Sequence, residues 1–224
     1  MTSRTRSFLG AFALAVLTAS AGPAAAGEFA AELQAGYFSM TATKSAEAVF
    51  GSSGGFTWGG AARYSLDLGI YLNAGVRTFS KEGERVFLAG ASEPVSQLGF
   101  PLKLKITPYF LTLGYRFRQG SLIVPYVGFG GSLTSFKEDS SVASIDYNQS
   151  ENKAGFHVVG GVEMGKGRFR FGGEAGWSSV SNAVGAAGVS NVYGEDNIGG
   201  WSVVGKLVIA FGGKKVPDDL GPIP

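Results

Sequence analysis

Apolar and polar side chains alternate with a period of two residues along most of the chain after Phe29. In the stretch RFRFGGEAGW, for example, Arg170 and Glu174 share one parity, whereas Phe171 and Trp177 share the other. Because successive side chains of a β-strand point to opposite faces, this alternation predicts strands with one polar and one apolar face. Eight segments of this kind can be delimited, at residues 29–39, 56–64, 70–79, 102–117, 122–136, 154–164, 168–179 and 201–211.

The connections between these segments alternate between short and long. Three are short, at residues 65–69, 118–121 and 165–167, and four are long, at residues 40–55, 80–101, 137–153 and 180–200. Short turns on one side and long loops on the other are typical of outer-membrane barrels, and the segments match the roughly 9–11 residues that a membrane-spanning strand needs. The pattern predicts an all-β fold, an eight-stranded antiparallel up-and-down transmembrane β-barrel with short periplasmic turns and long extracellular loops.

The apolar parity of the fourth segment reverses at Pro108. Leu102, Leu104 and Ile106 are apolar before the proline, whereas Leu111 lies on the opposite parity after it. Because proline has no backbone N–H to donate to a neighbouring strand, the reversal predicts either a bulge at this position or the outer limit of regular pairing.

The cost of placing charge against lipid orients the strands. An arginine near the bilayer midplane on the lipid face of a barrel costs about 2–4 kcal/mol, so we expect the charged parity to face the lumen. An eight-stranded barrel is just wide enough for side chains to fill it, and glycines on the same parity, such as Gly128 and Gly130, leave room for the long ones. The predicted lumen charge cluster consists of Glu32, Arg63, Arg77, Arg116, Glu163, Glu174 and Lys206.

Aromatic residues occur at the ends of the segments, on the apolar parity. Interfacial aromatic girdles occupy these positions in membrane barrels. The alternative is that the rims of sheets and barrels are simply rich in aromatic residues. The predicted interfacial aromatics are Phe29, Tyr37, Trp58, Tyr64, Trp177, Trp201 and Phe211.

The first residues have the composition of a secretory signal. Arg4 and Arg6 precede the apolar run FLGAFALAVL, which is too short to span a bilayer as a helix, and small residues follow at AAA. We therefore expect cleavage near Ala26. The predicted domains are a signal peptide at residues 1–26, the outer-membrane barrel at residues 27–212, and a periplasmic, disordered tail at residues 213–224.

The overall composition excludes several classes of protein. The chain has 19 basic and 17 acidic residues, but both signal-peptide arginines would be removed, so the mature chain is balanced and nucleic-acid binding gains no support. The absence of cysteine excludes disulfides and thiolate metal sites. The 36 glycines have no collagen-like period, and with 17 phenylalanines in alternating segments they favour a β-barrel.

The segments PYVGFGG, at residues 125–131, and GKLVIAF, at residues 205–211, together with the signal peptide and the eight alternating segments, resemble the outer-membrane protein β-barrel domain family. This family contains small eight-stranded barrels such as OmpX, OmpW and the transmembrane part of OmpA. The resemblance implies a monomer in the cell outer membrane that contacts outer-membrane lipid and lipopolysaccharide. It also implies that the outer-membrane assembly machinery reads the last strand, although here a tail follows Phe211, where the family often ends.

Candidate catalytic residues are few. His157 is the only histidine and lies on the lumen parity, where a packed structural histidine is favoured over the base of a lipid-modifying enzyme. Glu163 and Glu174 lie on neighbouring segments, and ion pairing inside the lumen is favoured over a paired-carboxylate site. One histidine excludes a histidine metal cluster. We therefore expect no enzymatic activity, no cofactor and no metal.

Two functions remain open from the sequence. The first is a structural or envelope role, or a loop-mediated, adhesion-like interaction, with the lumen plugged by paired charges. The second is transport, through a narrow channel for a small solute or by lateral diffusion of an apolar one. A rival fold, a secreted lipocalin-like barrel with its apolar face inside, would be soluble without detergent.

Overall fold

The computed structural model describes residues 27–142, 145–185 and 188–212. Its eight strands form a closed barrel in which each strand pairs antiparallel with the next and β8 pairs with β1, which confirms the predicted fold. The predicted signal peptide and tail lie outside the described residues. The strands are β1 (Gly27–Met40), β2 (Gly54–Leu66), β3 (Ile70–Phe87), β4 (Ser96–Arg116), β5 (Ile123–Val142), β6 (Ile145–Met164), β7 (Phe169–Ser179) and β8 (Gly200–Gly212).

The two faces of the wall follow the parity of the sequence. In β1, Glu32 and Gln34 are buried inside the barrel, whereas Leu33 and Tyr37 point outward and are 62% and 55% exposed. The same alternation continues around the ring, so the outer wall is apolar and the interior is polar. In the part of the chain that is described, no helix has the length and hydropathy to cross a membrane.

Four strands are much longer than predicted. β3 continues to Phe87, β4 begins at Ser96, and β5 and β6 run together to within two residues of each other. The expectation of long loops at residues 80–101 and 137–153 was therefore wrong over most of both ranges. Where a strand extends out of the membrane, its outer face can also be polar. The alternation used to predict the segments is then lost, although the strands continue to pair. These extensions form a four-stranded sheet, the protruding sheet, at the long-connection end of the barrel.

Two connections at that end are long and contain short helices. The connection between β1 and β2 contains helix α1 (Thr43–Phe50), and the connection between β7 and β8 contains helix α2 (Gly188–Tyr193). At the opposite end the connections span residues 67–69, 117–122 and 165–168. This end is called the short-turn end below.

Pro108 causes neither a bulge nor the end of pairing, so both predictions for this position were wrong. Pairing between β4 and β5 is unbroken through Pro108, which lies opposite Thr134. Between β3 and β4 two pairs are missing, but Val76–Tyr109 on one side and Phe79–Ile106 on the other keep the same register. The missing N–H of proline interrupts the ladder without changing which face each side chain occupies. The register between β3 and β4 does shift, but farther toward the long-connection end, between residues 84 and 86.

The reversal of apolar parity at Pro108 has a different structural cause. Leu102, Leu104 and Ile106 point into the barrel, where apolar residues replace the polar lumen. They meet side chains from α1 and from the connection between β7 and β8 above the lumen. The resulting buried cluster, here called the apolar cap, contains Met40, Ala46, Phe79, Leu104, Ile106, Phe136, Val180, Ala183 and Ile198.

A carboxylate from the β7–β8 connection holds α1 over the barrel. The helix has no side-chain cap of its own at Ala42. Glu195 instead accepts hydrogen bonds from the backbone N–H groups of Lys44 (3.0 Å) and Ser45 (2.8 Å), and from the Ser45 hydroxyl (2.6 Å). These N–H groups have no partner within the helix, so Glu195 supplies the cap from about 150 residues away.

Replacing Glu195 by Gln should loosen α1. The amide keeps one acceptor but loses the charge that interacts with the helix dipole, so we expect a loss of about 1 kcal/mol of local stability. Hydrogen exchange of the backbone amides of Lys44 and Ser45 measures the local stability of α1. We expect these amides to exchange about fivefold faster in the variant. Glu47→Gln on the exposed side of α1 is the matched control. Equal exchange in both variants would show that Glu195 does not cap the helix.

Candidate functional site

The centre of the lumen is organised around Glu32, whose side chain is completely buried. Its carboxylate lies 2.7 Å from Arg63 Nη1 and 3.1 Å from Lys206 Nζ. It also accepts hydrogen bonds from Gln34 Nε2 (3.1 Å) and Asn73 Nδ2 (3.3 Å). Two cations and two amides therefore surround one carboxylate, which links the two halves of a larger network.

The half nearer the apolar cap is built on Glu174. Its carboxylate lies 2.5 Å from Lys206 Nζ, pairs with Arg77 and accepts a hydrogen bond from the Tyr126 hydroxyl at 3.1 Å. Arg77 donates from Nε to Gln34 Oε1 at 2.6 Å, and its guanidinium stacks 5.2 Å from the ring centre of Phe110. The nitrogen atoms of Arg77 thus interact with Gln34 and Glu174, while the guanidinium lies over the ring of Phe110.

The half nearer the short-turn end is built on Glu163 and Glu28. Glu163 lies 2.8 Å from both Arg63 and Arg116 and 2.9 Å from Arg170. Glu28 lies 3.0 Å from Arg116 and also pairs with Arg170. Arginine suits this arrangement because its planar fork donates to several carboxylates at once.

The structure brings all seven residues of the predicted lumen charge cluster into one connected network, the lumen network, and adds Glu28 and Arg170. Glu28 lies one residue before the first predicted segment, which was started at an aromatic residue, and only the observed start of β1 at Gly27 places it in the wall. Arg170 has the correct parity in the sequence and was left out of the cluster. Arg168, on the same parity, lies exposed in the turn before β7.

The other candidate residues have structural partners. Glu163 and Glu174 engage different cations in different halves of the network, which does not form a paired-carboxylate site. His157 is buried in the lumen, with Nε2 2.8 Å from the Thr112 hydroxyl and its ring edge-on to Phe110. Among the described residues, no group of three His, Asp or Glu side chains is arranged to hold a metal ion.

The described residues line cavities at three different levels of the barrel, among others. A chamber of about 90 Å³ separates the lumen network from the apolar cap, with Arg77 and His157 on one side and Phe79 and Ile106 on the other. A cavity of about 380 Å³ opens above the cap, beside α1 and the protruding sheet. One of about 300 Å³ opens at the short-turn end, next to Arg170. The chamber is the smallest of the three and has polar and apolar walls.

The predicted interfacial aromatics lie on the outer wall in two groups. At the short-turn end, Phe29 pairs with Tyr64 on one neighbouring strand and with Phe211 on the other. Toward the long-connection end lie Tyr37, Trp58, Trp177 and Trp201, the two last of which pair directly across β7 and β8. Along β1 the groups are eight residues apart, or about 20 Å along the barrel axis at a tilt of about 40°, close to the height of an apolar membrane band.

Comparison with known proteins agrees with this architecture. A sequence model of the outer membrane protein beta-barrel domain matches residues 11–168. No curated protein sequence matches the chain. In the structure of neisserial surface protein A, 100% of that chain aligns with 85% of this one at 15% identity and a TM-score of 0.52. A major outer membrane protein of Thermus thermophilus aligns over 100% of its chain and 84% of this one, at 13% identity and a TM-score of 0.58.

Sequence identities this low show only that the folds are similar. The family model, in contrast, matches more than half of the chain and therefore shows the family. The short-turn end corresponds to the periplasmic side in such barrels, and the long-connection end to the extracellular side. The chain therefore belongs to the outer-membrane protein β-barrel domain family and is a protein of the cell outer membrane.

Proposed function

We propose that the protein is a non-conducting barrel that acts through its extracellular surface, in envelope structure or in an adhesion-like interaction. The observation that carries this proposal is the lumen network, which joins opposite sides of the wall through Glu32 on β1, Arg63 on β2 and Lys206 on β8, and reaches Glu163 on β6. Removing one partner of a buried ion pair costs about 3–5 kcal/mol, and a solute crossing the lumen would have to separate several pairs together.

The apolar cap supports the same proposal as a second barrier. Phe79, Ile106 and Phe136 come from three different strands and are at most 6% exposed. They pack against Met40 at the end of β1 and against Ile198 of the connection between β7 and β8. Ions are strongly disfavoured in an apolar constriction because they would lose their hydration there. Charge and hydrophobicity therefore oppose conduction at two different levels of the barrel.

The protruding sheet supports an extracellular role. β6 pairs with β7 only from Phe156 inward, so among the described strands its outer part, from Ile145 to Gly155, has β5 as its single neighbour. An open strand edge presents backbone N–H and C=O groups that can pair with an extended segment of another protein. Such an edge, held by a rigid barrel, suits recognition.

Single-channel recording tests the closed lumen. The mature protein, folded into a planar bilayer, should give no discrete openings, and a mobility shift between unboiled and boiled samples verifies folding. An open porin in the same bilayer shows that channels would be detected. Discrete, reproducible openings at low voltage from the folded protein would contradict the proposal and favour a narrow channel.

Lateral diffusion of an apolar solute is the second candidate, because the β3–β4 ladder is interrupted next to Pro108, which lines the chamber. The Thr78 and Thr107 hydroxyls lie 3.1 Å apart across this interruption. A disulfide between cysteines at these two positions would lock the wall. Uptake of an apolar dye that falls on oxidation and returns on reduction would favour this function, and unchanged uptake would exclude this route.

We also propose that the assembly machinery reads β8, whose Leu207, Ile209 and Phe211 alternate toward the outer wall before the tail. A monomer is expected, because the closed ring has no free strand edge within the membrane.

We expect no catalytic activity, since His157 is engaged by Thr112 inside the closed lumen. Signal cleavage near Ala26 stays a prediction, which N-terminal sequencing of the mature protein would check.

A further inference from the structure

Two lysines lie directly opposite each other on the outer wall. Lys105 of β4 pairs with Lys137 of β5, and both side chains are exposed. Residues in this relation have Cβ atoms about 4.5–5.5 Å apart, and like charges there destabilise the strand pair. Among the side chains that the structure describes, no carboxylate forms an ion pair with either ammonium group. Within the described part of the chain, no ion pair therefore offsets this repulsion.

The lysine pair lies just outside the apolar band of the wall. Four residues farther along their strands toward the periplasm are Tyr109, which is 55% exposed, and Leu133, which is 54% exposed. Four residues correspond to about 10 Å along the axis at a tilt of about 40°. Because the aromatic residue marks the membrane interface, the ammonium groups lie at the level of the lipid head groups of the outer leaflet.

Hydroxyl groups flank the lysines in the same row. Ser80 of β3 pairs with Lys105, and Ser150 of β6 pairs with Lys137, both exposed on the outer face. The Ser80 hydroxyl donates to the Leu104 carbonyl oxygen at 3.3 Å. One row closer to the membrane, the hydroxyls of Thr78 and Thr107 are 3.1 Å apart. The wall thus presents two cations with the exposed Ser150 hydroxyl beside them, a combination that suits the several acceptor oxygens of a phosphate group.

The next row outward has a different charge balance. Lys103 lies 2.9 Å from Glu82 and opposite Asp139, so its charge is compensated. The hydrogen bond from Lys103 correspondingly lowers the pKa of Glu82. Of these two rows, only the row of Lys105 and Lys137 has no ion-paired carboxylate among the described side chains, and this row is the one nearer to the lipid.

We propose that Lys105 and Lys137 together bind a phosphate group of a phosphorylated glycolipid in the outer leaflet. A lipid is the occupant that the position selects, because the side chains point outward from the barrel wall at head-group depth. Two adjacent ammonium groups can share one phosphate, and its charge removes their mutual repulsion. Each lysine near an anionic lipid surface strengthens binding about fivefold, so the pair contributes about 25-fold.

The test uses the folded mature protein in zwitterionic detergent micelles. Binding of lipid A carrying its phosphates, and of enzymatically dephosphorylated lipid A, is measured for five proteins. These are the wild type, Lys105→Gln, Lys137→Gln, the double variant Lys105→Gln/Lys137→Gln, and Lys103→Gln. The double variant should bind phosphorylated lipid A about 25-fold more weakly, with each single variant intermediate. Lys103→Gln, on the same strand and face, should stay within about twofold of wild type. The mobility shift on boiling confirms that each variant is folded.

Three results would overturn the inference. These are equal affinity of wild type and double variant, an equal loss in Lys103→Gln, and no preference of the wild type for the phosphorylated lipid. Displacement of the lipid by inorganic phosphate at a similar concentration would replace it with a site for free anions. The inference requires only that the barrel lies in the outer membrane. A conducting barrel that binds lipid A normally would contradict the closed lumen and leave this site intact.

Discussion

Replacing Glu32 by Gln is expected to lower the free energy of unfolding by about 3 kcal/mol. The substitution keeps the shape of the side chain but removes the charge between Arg63 and Lys206, whose side chains are 3% and 2% exposed. Removing one partner of a buried pair usually costs about 3–5 kcal/mol. The lower end applies here because Arg63 keeps Glu163 and Lys206 keeps Glu174. Urea unfolding in lipid vesicles measures the change.

Tryptophan fluorescence is a suitable signal for that measurement. Trp58, Trp177 and Trp201 are the only tryptophans in the chain, and all three lie on the outer wall, so unfolding transfers them from lipid to water. Glu82→Gln is the matched control, because its pair with Lys103 is exposed and surface pairs contribute little. A loss in Glu32→Gln no larger than that of the control would show that the network does not stabilise the barrel.

A double variant separates the two possible causes of the loss. In Glu32→Gln/Lys206→Met the carboxylate and one of its cations are removed together, so fewer uncompensated charges stay buried. If the cost arises from unpaired charge, the double variant should be more stable than the sum of the single variants predicts, by about 1 kcal/mol or more. Additive losses would instead indicate that the loss in Glu32→Gln does not depend on the charge of Lys206.

The barrel and its lumen charges were predictable from the sequence because one physical rule determines both. Strand side chains alternate between faces, and lipid excludes charge from one face, so parity alone assigned residues such as Arg63 and Glu174 to the lumen. The rule holds only where lipid covers the wall. Beyond Pro108 the outer face meets lipid head groups and water, where polar residues are tolerated, and the ends of β3 to β6 were missed.

Contacts between segments that are far apart in the chain could also not be predicted from the sequence. The apolar cap joins α1 to Leu104 and Ile106, but the local pattern of residues 102–106 indicated only a reversal of parity. The cap of α1 by Glu195 depends on two connections that are about 150 residues apart. No spacing rule relates such positions, because the closed barrel alone brings the connections together. Glu28 was missed for a simpler reason, since a strand end was placed two residues too late.

Two adjacent glycines provide the sharpest test of the parity rule. Gly130 faces the lumen, where an added Cβ would overlap the carbonyl oxygen of Leu111 and lie 2.9 Å from His157 Cε1. Gly131 faces outward, and its nearest atom, the carbonyl oxygen of Gly155, would be 3.8 Å from an added Cβ. An alanine at residue 130 would therefore clash with a backbone atom, whereas an alanine at residue 131 would lie at an ordinary van der Waals distance from its neighbours.

Gly130→Ala is expected to lower the free energy of unfolding by about 2–3 kcal/mol, because neither the Leu111 backbone nor the neighbouring His157 ring can move without disturbing the packed lumen. Gly131→Ala should be neutral or stabilise the barrel by about 0.5 kcal/mol, since alanine loses less conformational entropy than glycine in a strand. Urea unfolding and the mobility shift on boiling measure both variants. Equal effects would mean that lumen packing does not select glycine at residue 130, and a larger loss at residue 131 would reverse the assignment of faces on β5.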